Sequence, residues 1–240
     1  MLDLSPASFS MAATHIDTWH ARADVHPSKS IEDQLQQLGL PRKLVHRKDT
    51  LFRSGQSASA LYMVRSGYFK MSVLSEDGRE KITGFRMRGD LLGLDSLGIS
   101  HHGCEAVALD VGEVLELPCA MLSARLPEFQ SWLTMRMACE IRRDWAWMLA
   151  TSTLGAEQRV VAFLIDLADR QRALGYSAEQ VMLHMTRAEI GNFLGLQLET
   201  VTRALSHLDA IGSIAVDRRE IRMLDLDGLR VMIFGQRDLH

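Results

Sequence analysis

Residues 186–208 read TRAEIGNFLGLQLETVTRALSHL, two short amphipathic patterns joined by Gly195, Leu196 and Gln197. Thr186 followed three residues later by Glu189 is a capping box, so a helix starts there. Ile190 and Leu194 give that helix its apolar face, and Gly195 ends it. In the next segment Val201, Leu205 and Leu208 fall at helical spacing and predict a second buried stripe. Glu199, Thr202, Arg203 and Ser206 form a stripe of their own, compact, polar and concentrated in the first two turns.

Two helices joined by so short a turn predict a helix-turn-helix, whose second helix enters the major groove by its N-terminal end. The side chains suit that task. Arg bonds guanine O6 and N7, a carboxylate accepts from cytosine N4, and Thr bonds a base edge or touches a thymine methyl. On spacing alone, an ordinary solvated helix face is the commoner explanation. The segment SIAVDRREIRML, residues 213–224, shifts that balance. Ile214 and Val216 alternate, then Ile221 and Met223, around a charged turn, which predicts a β-hairpin. A helix-turn-helix followed by a hairpin is a winged arrangement, with Arg218, Arg219 and Arg222 placed to meet phosphates.

Upstream, EFQSWLTMRMACEIRRDWAWMLATS (residues 128–152) has a helical period, and AEQRVVAFLIDLADRQRAL (156–174) predicts another helix ended by Gly175. On the long helix Met137, Ile141, Asp144 and Met148 share one stripe. Periodicity leaves two explanations open: the stripe pairs with its copy in a dimer, or it packs on the chain's own β domain. From Leu44 to Leu117 the texture is short alternating runs, such as LYMVRSGYFKMSV, KITGF and VGEVLELP, punctuated by glycines. That pattern predicts an all-β barrel or jelly roll, with hairpin turns expected at RSGY and SEDGRE. SIEDQLQQLGL (30–40) predicts a short helix ended by Gly39, and the residues before it lack periodicity.

Composition bounds these readings. The chain has 240 residues, 47% hydrophobic and 24% charged, enough for one large domain or two small ones. No apolar run reaches the roughly 18 residues a membrane span needs, and the N-terminus lacks the basic and apolar regions of a secretory signal. Cys104, Cys119 and Cys139 are odd in number and widely spaced, which fits a reducing cytoplasm rather than a disulfide framework. Net charge is −3, and from Leu154 onward 10 Lys and Arg stand against 12 Asp and Glu. Bulk charge therefore gives DNA binding no support, and local placement of arginine must carry it.

MTRAEIGNFLGLQLETVTRAL (185–205) resembles the DNA-binding motif of the CRP/FNR family of bacterial transcription regulators, nearest its FNR branch. The similarity spans roughly residues 40 to 230 and keeps the order of β roll, long helix and winged helix-turn-helix. ETVTR matches the branch's E-T-x-S-R pattern, which implies Glu199, Thr202 and Arg203 as base readers. Ser206, Thr186, Arg187 and Gln197, with Arg218 and Arg219 of the wing, complete the expected DNA-contacting set. Two departures stand out: Thr202 replaces Ser, and Gln197 replaces the usual Ser or Thr, a poorer helix cap. The resemblance implies a homodimer on a TTGAT-like inverted repeat, in contact with RNA polymerase. It also puts an Asp at the matching point of the dimer helix, which corresponds to Asp144.

The cofactors of the family are not expected. There is no cysteine before Cys104, Leu115 occupies the central cysteine position, and three separated cysteines cannot supply the four thiolates of an iron–sulfur cluster. The cyclic-nucleotide region, RGDLLGLDSLGISHHGCEAVAL (88–109), has no Arg between Arg88 and Arg125 to pair a cyclic phosphate, which argues against cyclic AMP. His101, His102, Cys104 and Glu105 pack four potential ligands into five residues and invite a metal. Against that, adjacent histidines rarely converge on one ion, and no metal site is expected. The competing function is a cupin-type metal-dependent enzyme built on the β roll with His101, His102 and Glu105. It lacks the H-x-H spacing and has no use for a winged C-terminus.

The expected fold class is α+β. An N-terminal arm covers 1–30, a cyclic-nucleotide-binding-like jelly roll 31–126, a long dimerisation helix 127–153 and the winged helix-turn-helix 154–240. The expected protein is no enzyme but a cytoplasmic regulator whose partners are double-stranded DNA, RNA polymerase and its own copy, with no membrane.

Overall fold

The computed structural model describes residues 29–234. The arm expected over 1–30 lies outside the described residues, apart from Lys29 and Ser30, which open the first helix. The chain divides into two compact units, with the boundary between Ala138 and Cys139, inside the long helix.

In the first unit α1 (Lys29–Gln37) precedes eight strands: β1 (Arg42–Val45), β2 (Thr50–Phe52), β3 (Leu61–Ser66), β4 (Phe69–Leu74), β5 (Glu80–Arg86), β6 (Leu91–Leu92), β7 (Glu105–Ala108) and β8 (Gly112–Leu117). They form two four-stranded antiparallel sheets, ordered β1-β8-β3-β6 and β2-β7-β4-β5. Side-chain alternation along each strand decides what each face buries. Val64 of β3 and Val114 of β8 join Phe52, Phe69 and Met71 between the sheets. Their neighbours Leu61, Met63, Leu115 and Leu117 point the other way, into a second cluster with Ile31 and Leu35 of α1 and Leu122 of α2 (Cys119–Arg125). Apolar side chains of β3 and β8 are thus buried on both faces of their sheet, and each fully buried Leu or Phe contributes about 1.5–3 kcal/mol.

Of the two hairpin turns expected within the roll, one forms. SEDGRE joins β4 to β5, and the Ser75 N–H donates to the Arg79 carbonyl at 2.9 Å. RSGY is no hairpin, because it carries the chain from β3 in one sheet to β4 in the other. Gly67 is required there for a different reason than hairpin closure. A Cβ on Gly67 would lie 2.7 Å from the Gly112 Cα, so two glycines let the backbones of the crossing segments touch.

The long helix, α3, runs Phe129–Thr153, and its first residues Phe129, Trp132 and Leu133 seal the α1 side of the roll. In the second unit α3 continues beside α4 (Ala156–Ala173), followed by β9 (Gln180–Met182), α5 (Arg187–Leu194), α6 (Leu198–Ala210), β10 (Ile214–Asp217), β11 (Glu220–Met223) and α7 (Leu226–Phe234). Residues Val160 to Ile165 of α4 are all buried, so this helix is the spine of the unit rather than a surface element. Trp147 of α3 meets Phe193 of α5 edge to face, with centroids 4.9 Å apart. Below them Asp166 of α4 lies 3.5 Å from both Arg143 of α3 and Arg170, a largely buried ion triad. The wing holds three strands, ordered β10-β11-β9. The third, β9, has only three residues, too few to show a strand period in the sequence.

Candidate nucleic-acid interface

The second helix of the motif, α6, is positioned by local chemistry at both ends of α5. The Glu189 N–H donates to Thr186 Oγ1 at 3.2 Å, and the Thr186 N–H donates to Glu189 Oε2 at 2.8 Å, which closes the expected capping box. Gly195 ends α5 at φ 68°, and the chain turns within Leu196 and Gln197. The Leu196 N–H donates to the Gly191 carbonyl at 2.8 Å. Gly191 matters as much as Gly195, because a Cβ there would sit 2.6 Å from the Leu196 carbonyl oxygen. Gln197 caps α6 without a side-chain bond, as its replacement of Ser or Thr implies.

Val201, Ala204, Leu205 and Leu208 are buried, which fixes the rotation of α6. The opposite face presents Glu199, Arg203 and Ser206 to solvent, with Thr202 half-buried beside them. No hydrogen bond or ion pair to another described residue holds the side chains of Glu199, Arg203 and Ser206. They form one face of donors and acceptors, available to a base edge. Thr186 and Gln197 are exposed at the mouth of the motif and Arg187 is half-buried. His207, further along α6, is committed elsewhere: its Nδ1 lies 2.7 Å from Glu157 Oε2 of α4. Leu198, which sequence reasoning passed over, opens α6 and is 44% exposed.

On the wing, Asp217 and Glu220 are the last register pair, so Arg218 and Arg219 form the turn. Arg218 is held at φ 54°, a left-handed conformation that costs a non-glycine residue on the order of 1 kcal/mol. Arg219 folds back, and its guanidinium donates to the His184 carbonyl at 3.4 Å. Arg222 is exposed on β11.

On α3, Ile141 (46% exposed), Trp145 (62%) and Met148 (65%) make a solvent-facing apolar strip with Asp144 beside it. Trp145 was missed because its offset from Met137 lies off the heptad stripe. Met137 itself packs partly on the cluster of the first unit.

The proposed ligand types in the β roll do not converge. His102 is buried, its ring stacked on Phe52 with centroids 3.7 Å apart, whereas His101 is exposed. Glu105 lies 3.7 Å from Arg53. Among the described residues no group of three or more His, Cys, Asp or Glu is placed to hold a metal ion. Burial pushes the Cys104 thiol up to about 12, helped by the Asp95 carboxylate, which marks a core residue and not a reactive thiol. Leu115 is fully buried in β8. Asp90 is buried too, its carboxylate accepting from the Met87 N–H at 2.8 Å.

A β roll continued by one long helix into a winged helix-turn-helix is the architecture of a DNA-binding transcription regulator. Two family models match: a cyclic nucleotide-binding domain over residues 42–124 and a Crp-like helix-turn-helix domain over 158–232. The chain is 39% identical to the transcriptional regulatory protein btr of Bordetella pertussis, over 86% of each chain. It is 36% identical to the fumarate and nitrate reduction regulatory protein of Escherichia coli, over 82% of this chain and 80% of that one. Among solved structures FixK2 from Bradyrhizobium japonicum is similar, with TM-score 0.74 and 27% identity over 81% of this chain and 98% of that one. The chain belongs to the CRP/FNR family of transcription regulators, which is not a family of enzymes. Among the described residues no helix is long and apolar enough to cross a membrane.

Proposed function

We propose that this regulator is of the FNR branch, reads a TTGAT-like inverted repeat as a homodimer in the cytoplasm and contacts RNA polymerase there. The observation that carries the reading is the face of α6, where Glu199, Thr202 and Arg203 stand together at the end of the helix that can enter a major groove. The names of similar proteins favour the branch, since one of them is the anaerobic regulatory protein of Haemophilus influenzae, 36% identical over 82% of this chain. The apolar strip of Ile141, Trp145 and Met148, exposed on α3, favours pairing with a second copy.

Within that branch the protein works without an iron–sulfur cluster or cyclic AMP. Leu115 in place of a central cysteine and a buried, unreactive Cys104 support the first. The absence of Arg between Arg88 and Arg125 supports the second.

The test is a mobility-shift titration at fixed salt. A duplex with two TTGAT arms should bind far more tightly than one with a scrambled arm, since a dimer then engages one half-site only. Equal affinity for both would refute the dimeric reading. Protein purified with and without air should be colourless and bind alike, and a visible band bleached by oxygen would refute the cluster-free reading.

A further inference from the structure

Arg159, in the first turn of α4, is half-buried and bonds two carbonyls at once. Its Nε donates to the Leu154 carbonyl at 2.9 Å, and its Nη1 donates to the Leu194 carbonyl at 3.3 Å. Leu154 directly follows α3, its N–H donating back to the Ala150 carbonyl, and Leu194 is the last residue of α5. Carbonyls at a helix C-terminus have no partner within their own helix and carry the negative end of its dipole. One guanidinium therefore caps two helix ends. Its donors form a rigid planar fork, so two bonds from one fork fix how the two carbonyls stand to each other. The two residues before it reach out in the same way. Glu157 Oε2 lies 2.7 Å from His207 Nδ1 of α6, and Gln158 Nε2 donates to the Met232 carbonyl of α7 at 2.8 Å. Of the three, Arg159 is the one that joins the end of α3 to the turn between α5 and α6.

We propose that Arg159 is a positioning residue for DNA reading, which sets the spacing between half-sites that the dimer accepts. This rests on the function proposed above, in which α3 pairs with its copy and α6 enters the groove. In such a dimer the place of each α6 relative to the end of its own α3 decides how far apart the two reading helices stand. One extra base pair between the arms moves the half-sites apart by about 3.4 Å and turns them by roughly 35°. Apolar packing of α4 on α5, as between Phe163 and Phe193 with centroids 6.1 Å apart, is non-directional and resists small shifts weakly. The two Arg159 bonds are directional and sit at the helix ends, where a shift is largest. With them in place the dimer holds one spacing, and without them each α6 can follow a half-site that has moved.

The experiment varies the DNA between the arms. Duplexes with two TTGAT arms, their spacer lengthened or shortened one base pair at a time, are titrated by mobility shift at fixed salt. The proteins are the parent, Arg159→Ala and Arg159→Lys, with one-armed and scrambled duplexes and thermal melts alongside. Lysine keeps the charge and can reach one carbonyl, but it has no fork to hold two. The parent is expected to prefer one spacer about tenfold over its neighbours, and both variants only about two- to threefold. The preference of each variant for a one-armed duplex over a scrambled one should match the parent's. A variant that weakens binding to every spacer by the same factor overturns the proposal, since lost stability alone does that. Two variants that are both unfolded at the assay temperature also overturn it, because Arg159 then holds the fold and does not position α6. A parent indifferent to the spacer overturns it without any variant. A parent that binds two arms no more tightly than one overturns the dimeric reading, and this proposal with it.

Discussion

The backbone of Gly191 lies directly against the carbonyl of Leu196: a Cβ on Gly191 would be 2.6 Å from that oxygen. This contact sets how tightly α5 turns into α6. The Leu196 N–H also donates to the Gly191 carbonyl at 2.8 Å, which ties the same two residues together.

Gly191→Ala is therefore expected to force the turn open. The second unit should lose about 1–3 kcal/mol, the usual cost of overpacking. DNA affinity should fall further than stability accounts for, because α6 is displaced from its reading position. Thermal melts beside mobility-shift titrations check both, and an unchanged affinity would show that the turn tolerates a methyl group.

Arg203→Ala should weaken specific binding by about 1–3 kcal/mol per half-site with the melting temperature unchanged, because Arg203 is exposed and supports no packing. Glu199→Ala should instead relax base preference at one position with little loss of overall affinity, since it also removes a negative charge near phosphates. Binding-site selection from a randomised half-site distinguishes the two.

Asp144 flanks the exposed strip of Ile141, Trp145 and Met148 on α3. Two such strips face to face bring two carboxylates together in a partly dry seam, where like charges repel. Asp144→Ala should tighten the dimer by roughly tenfold, on the order of 1.4 kcal/mol. Asp144→Lys should leave it weak, and Trp145→Ala should loosen it. Sedimentation equilibrium measures all three; an unchanged constant for Asp144→Ala would place Asp144 off the seam.

The ion triad of α3 and α4 should be costly to break. Asp166→Asn takes from the buried Arg143 and Arg170 the carboxylate they share, and about 3 kcal/mol should be lost. Denaturant unfolding monitored in the second unit would measure it, and a loss under 1 kcal/mol would mean that other groups already neutralise both guanidiniums.

Burial holds the His102 imidazole below its ordinary range, although the Asp95 carboxylate opposes this. Below about pH 6.5 the unfolded chain takes up a proton that the folded chain refuses. Stability should therefore fall as pH drops from 7.5 to 5.5. His102→Phe keeps a ring against Phe52 and carries no proton, so its melting temperature should depend less on pH over that window. Parallel pH dependence in parent and variant would rule His102 out as the cause.

Local physics made much of this protein legible in the sequence. Thr186 and Glu189 define where α5 starts because a capping box acts over three residues, and Gly195 ends it by an equally local conformational preference. The spacing of Val201, Leu205 and Leu208 sets the rotation of α6, and with it which side chains can face DNA. Tertiary structure decided what depends on partners distant in the chain. RSGY looks like a hairpin locally, but β3 and β4 pair with β8, β6, β5 and β7, so the turn became a crossing between sheets. The strand β9 exists because β11 offers it an edge, not because QVM has a strand's alternation. Leu198 has the helical position of a buried residue and is exposed all the same, because the core ends before the helix does. Period and capping are written in neighbouring residues. Exposure is set by where the rest of the chain stops.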